Sequence, residues 1–151
     1  MEIKLNISPK VSYFASAATA LIFVIYFAYK GTIAYLIHRE LYGGGIDPLV
    51  ALRFTLSGVM IFLIFLFIQF IKLKDLKSQK TIINGIFIGW SSIFIITIIL
   101  FPGLIYFIFL TGSTSFICLV TSLSLSGQIR EERNTLSDKE IYLLQKLANK
   151  K

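Results

Sequence analysis

From Ile82 to Leu125 the chain runs 44 residues without a formal charge, about twice what one helix needs to cross a hydrocarbon core of ~30 Å. A second apolar tract, roughly residues 11 to 71 with one polar break, precedes it across a short lysine cluster. A soluble domain of 151 residues cannot hide so much continuous apolar surface, because its elements must alternate buried and wetted faces. A bilayer imposes no such alternation. Only 15% of residues are charged and the mean hydropathy is +0.78, against about 25% charged in an ordinary globular domain. The expected fold class is an all-α membrane protein.

The net charge of +7 raises the question of nucleic acid. The basic residues flank apolar runs and line no soluble face, so membrane threading accounts for them and no nucleic-acid partner is expected. Cys118 is the single cysteine, which excludes an intrachain disulfide and reads as a small packing residue. The first apolar run starts after Pro9 and Lys10 and continues too far for a cleavable signal, so the first helix is expected to be retained.

Four spans follow: 11–29 or 11–37, 49–71, 82–101 and 104–125, with Pro102-Gly103 as the turn inside the uncharged run. A kinked continuous helix is the alternative there. With the termini and the 72–81 loop on one side, twelve of the fifteen Lys and Arg residues fall on that side: Lys4, Lys10, Lys72, Lys74, Lys77, Lys80, Arg130, Arg133, Lys139, Lys146, Lys150 and Lys151. The excess predicts a multi-pass protein of the cell membrane with both termini cytoplasmic. Tyr29, Tyr35 and Tyr42 cluster at the other end, where such rings anchor among headgroups.

Residues 1–126 thus read as a four-helix membrane domain and 127–151 as a cytoplasmic tail. In the tail, Ser137-Asp-Lys-Glu140 has capping-box spacing, and Ile141, Leu144, Leu147 and Ala148 share a helical face. A short amphipathic helix over 138–149 is expected, lying on the membrane surface, docking on a partner or closing the bundle.

Helices in lipid associate through small residues and interhelical hydrogen bonds. Gly85, Gly89 and Ser92 offer one close-approach face on the third span. On the fourth, Thr111, Thr114, Ser115, Cys118, Thr121 and Ser122 form a weakly polar stripe that should point inward, as packing or as a substrate pathway. Charges at membrane depth carry the sharper question. If the first helix runs to residue 37, Lys30 lies about two-thirds of the way across; if it stops near 30, Lys30 snorkels at the interface. Arg53 is within reach of Asp47 for an anchoring ion pair, and Trp90 would line a cavity or pack. His38 lacks companion ligands, so no metal is expected, and no cofactor. With neither carboxylate nor histidine inside the spans, no enzyme is read.

Gly31-Thr32, Gly43-Gly44-Gly45, Pro48-Leu49 and Arg53-Phe54, in that order within Lys30 to Leu66, resemble the opening of an EamA-type domain of the drug/metabolite transporter superfamily. Thr114-Ser115, Thr121-Ser122-Leu123-Ser124 and Glu131 to Ser137 resemble that family's fourth helix and the approach to its fifth. Here Arg53 is one residue closer to Pro48-Leu49, Lys30 replaces an aromatic residue before Gly31, and no fifth span follows. The resemblance therefore implies less than one of the family's two five-helix halves. The four-helix small multidrug resistance proteins of the same superfamily match in helix count, yet their acidic first-helix residue has no counterpart between residues 11 and 29. The solute so implied is anionic or neutral, moved by an oligomer or with another chain through Lys30, Arg53, Trp90, Thr114, Ser115, Thr121 and Ser122. The competing expectation is a non-catalytic accessory or scaffold subunit that binds a second membrane protein within the lipid bilayer.

Overall fold

The computed structural model describes residues 7–45, 47–100 and 102–148, and the side chains of these except 100, 138 and 143–148. Lys4, Lys150, Lys151, the expected span end at 101 and the tail-helix end at 149 lie outside the described residues. Four long apolar helices make up the fold: α1 (Pro9–Tyr42), α2 (Pro48–Phe70), α3 (Leu76–Leu100) and α4 (Ile105–Ala148). Each is long and apolar enough to cross a membrane.

The boundaries follow local chemistry. Pro9 opens α1 and Pro48 opens α2, positions where the missing N–H would have no intrahelical partner. Asp47 caps α2, its carboxylate accepting from the Leu49 N–H at 2.9 Å. Asp75 caps α3, accepting from the Ser78 N–H at 2.9 Å and the Ser78 hydroxyl at 2.6 Å. Both bonds hold the Asp75 carboxyl below its ordinary value, the hydroxyl contributing most. Gly43 ends α1 at φ 71°, its N–H donating to the Arg39 carbonyl at 3.0 Å; this left-handed conformation is costly for a residue with a Cβ.

Pro102 and Gly103 form the expected turn between two separate helices. Two expectations are corrected. α1 passes residue 37 and continues to Tyr42. α4 runs without interruption through Ser137, so the capping-box residues start no second helix. A helix already in progress satisfies the donors that a cap would serve. Beyond Arg130 the described side chains of α4 are exposed all round, Leu136 at 55%. The Leu144, Leu147 and Ala148 side chains fall outside the described ones.

The helices alternate in direction. Ser12 pairs with Thr121 and Thr19 with Thr114, making α1 and α4 antiparallel. Asn84 pairs with Ser122 and Ser91 with Ser115, making α3 and α4 antiparallel. Tyr13 lies against Phe70, and Gly31 against Arg53 and Phe54, so α2 runs back along α1. α1 is the shared wall: it packs on α2 along one side and on α4 along another. Carrying the α1–α4 pairing forward sets Ile105 level with about residue 28 of α1, so α1 continues about 21 Å past the start of α4 at 1.5 Å per residue.

Candidate functional site

The polar stripe on α4 divides into two seams. Toward α1, the Thr114 hydroxyl donates to the Leu110 carbonyl at 2.9 Å, which leaves its oxygen to accept from Thr19 at 2.6 Å. Thr121 donates likewise to Ile117 at 2.9 Å and accepts from Ser12 at 2.7 Å. Ser16 meets the Cys118 sulfur at 3.8 Å. All six side chains are buried, and in the two hydroxyl pairs α1 donates and α4 accepts. Toward α3, Ser115 pairs with Ser91 at 2.6 Å and the Ser122 hydroxyl donates to the Asn84 side-chain oxygen. Thr111 returns its proton to the Phe107 carbonyl at 2.8 Å. The stripe therefore points inward, and its hydroxyls hold helices together in the low-dielectric interior where unpaired polar groups are costly.

Trp90 is 3% exposed. It lies 6.1 Å from Phe23, which meets Phe107 edge-on at 4.8 Å, so Trp90 belongs to an aromatic cluster joining α1, α3 and α4. Tyr13, at 1% exposure, belongs to the same core. Among the described side chains, its hydroxyl, the Ser57 hydroxyl and the Gln79 carbonyl oxygen are buried without a hydrogen-bond partner.

The ionisable candidates sit apart from these seams. Lys30 is exposed. The α1–α4 register places it level with the Pro102-Gly103 turn, at the end of α3 and the start of α4. The two sequence-based alternatives thus combine: the helix continues, yet Lys30 stands at the edge of the bundle. The expected Asp47–Arg53 pair is corrected, since Asp47 caps α2 while the Arg53 guanidinium donates to the Lys30 carbonyl at 3.2 Å. A Cβ on Gly31 would lie 3.4 Å from the Arg53 Cβ and 3.5 Å from the Phe54 ring, so residues that carried the family resemblance pack on one another. The His38 ring rests on Tyr42 with centroids 4.9 Å apart.

Among the described residues, Gly85, Gly89 and Ser92 form no close helix contact. All three are exposed, and a Cβ on either glycine would meet nothing within 4 Å. The bonds of Asn84 and Ser91 set the rotation of α3 and turn that face outward. Close approach occurs instead at Gly112, where a Cβ would stand 2.9 Å from the Phe94 ring. Sequence reasoning passed over Gly112 although it lies beside the stripe, between Thr111 and Thr114. An open, mostly apolar groove of about 770 Å³ runs beside this contact, walled by Phe87 and Phe94 of α3 and Ile105, Ile108, Phe109 and Phe116 of α4.

No family model, curated protein or solved structure matches the chain.

Proposed function

We propose that this chain is a non-catalytic membrane subunit: a four-helix anchor that joins a second membrane protein through its lateral helix faces and carries α4 into the cytoplasm as a rod. The uninterrupted course of α4 carries this reading. Its extension past Arg130, whose described side chains are exposed, presents Leu136, Ile141 and Tyr142 to water, apolar surface that a partner would cover. The seams add support, because hydroxyls that would line a solute path are engaged between helices. A photo-crosslinking side chain at Leu136 or at Gly89 tests the proposal in cells: it should capture one defined membrane protein at a fixed stoichiometry. Adducts only to lipid or to a random set of proteins would sink it.

Solute movement by an assembly of copies, as the drug/metabolite transporter resemblance implies, is the second reading. The packing of Gly31 on Arg53 and Phe54 favours it. Proteoliposomes discriminate: a subunit moves no solute alone, whereas a transporter moves one and loses flux on Lys30→Met while keeping its expression and oligomer size.

A further inference from the structure

We propose that the end of the bundle formed by the α2–α3 turn and the α4 exit is a binding collar for anionic phospholipid headgroups. The proposal rests on the membrane reading and goes beyond the subunit role. Between Lys72 and Lys80 stand four lysines and one acid, Asp75, whose carboxylate is turned onto Ser78 as the α3 cap. Lys72, Lys74 and Lys77 are exposed and Lys80 is half-buried.

The register brings α4 arginines to the same height. Ser115 is level with Ser91 and Ser122 with Asn84, so Arg130 comes level with Leu76, the first residue of α3, and Arg133 lies about one turn farther, beside the α2–α3 connection. Their azimuth agrees. Five turns of helix return to the same side after about 18 residues, so Arg130 lies on the line of Gly112 and Arg133 on the line of Ser115, both of which face α3. By the same count Glu132 follows Thr114, on the side toward α1, and Glu131 follows Ser113. At this height the arginines are thereby gathered on the α3 side of α4, and Glu131 and Glu132 are turned elsewhere.

This basic slab is about 11 Å deep and begins where the uncharged run from Ile82 to Leu125 stops. Between the edge of the hydrocarbon core and bulk water lie about 5–8 Å of headgroups. Lysine and arginine held at that depth attract anionic lipids, each cation strengthening the preference about fivefold. A cluster placed only to orient the chain would need no azimuthal alignment between α3 and α4.

The full chain reconstituted in phosphatidylcholine vesicles provides the test, with spin-labelled phosphatidylglycerol and spin-labelled phosphatidylcholine as probes. Phosphatidylglycerol should be enriched at the protein at least about fivefold at low salt and lose that preference in about 1 M salt, where screening reaches about 3 Å. Replacing Lys72, Lys74, Lys77, Lys80, Arg130 and Arg133 together with Gln should abolish it, whereas Lys139→Gln, farther along the rod, should leave it intact. Should the sixfold variant fail to insert, the single change Lys74→Gln and the salt series decide instead. Equal association of the two lipids with inserted wild-type protein overturns the collar, as does a preference that survives the six replacements. Wild-type protein that alkaline carbonate strips from the vesicles overturns the membrane reading beneath it.

Discussion

Gly112 and Gly89 make the clearest comparison between single residues. Both are small residues in apolar helices, but a Cβ at Gly112 collides with the Phe94 ring whereas one at Gly89 meets open space. Gly112→Val should therefore lower stability in detergent by about 1–3 kcal/mol through overpacking, and Gly89→Ala should leave the isolated bundle as stable as before or slightly more so. Thermal unfolding of the two purified variants checks this; equal losses would mean that α3 is rotated differently. The seam permits a second measurement. Thr19→Val and Thr114→Val keep shape and remove the hydroxyls, and their double-mutant cycle should give a coupling of about 0.6–1.7 kcal/mol. A coupling of zero would mean that the 2.6 Å pair is absent in the membrane. Sequence revealed the inward stripe because small polar residues recur at helical spacing. It did not reveal which residue faces which neighbour: a stripe broad enough to touch two helices has no internal mark of its dividing line.

At the scale of elements, capping chemistry separates what was legible from what was not. Pro48 and Pro102-Gly103 stop or start helices through backbone constraints that act locally, and the structure puts boundaries at each. Ser137 to Glu140 has the same local grammar yet lies inside α4, because caps matter only where donors are free. Asp75 and Ser78, which do cap α3, passed unnoticed inside a lysine cluster read as loop. The sign of the Asp75 effect is fixed by its lowered pKa: the carboxylate supports the first turn of α3 above its ordinary value of 3.8, and that support fades as pH falls through the lower folded value. Asp75→Ala should speed amide exchange at Lys77, Ser78 and Gln79 at neutral pH, and acidification of the wild type should produce the same change. Unchanged exchange in the variant would show that packing around Ile83, which is fully buried, holds the turn unaided.

For the whole molecule, the decisive quantity is direction. Antiparallel seams make the path up, down, up and down, which places both ends of the four-helix run on one side of any membrane it crosses. The charge count predicts which side: twelve of fifteen basic residues lie in the segments at that end, and segments so enriched are expected to stay cytoplasmic. Hydrophobic length was legible because the bilayer filters composition over tens of residues, whereas the outward reach of α1 was not, since it depends on where α3 and α4 end beside it. Cys118 supplies a clean background for testing the arrangement, being fully buried and the single cysteine, so wild-type cells should resist a membrane-impermeant maleimide. Tyr42→Cys, at a site 72% exposed on the outer end of α1, should label in intact cells. Lys74→Cys, on the α2–α3 turn, should label only after the membrane is opened. Labelling of both in intact cells, or of neither, would break the alternation of the helices; labelling of Lys74→Cys alone would keep the alternation and invert the protein, showing that the lysine collar had failed to set its orientation.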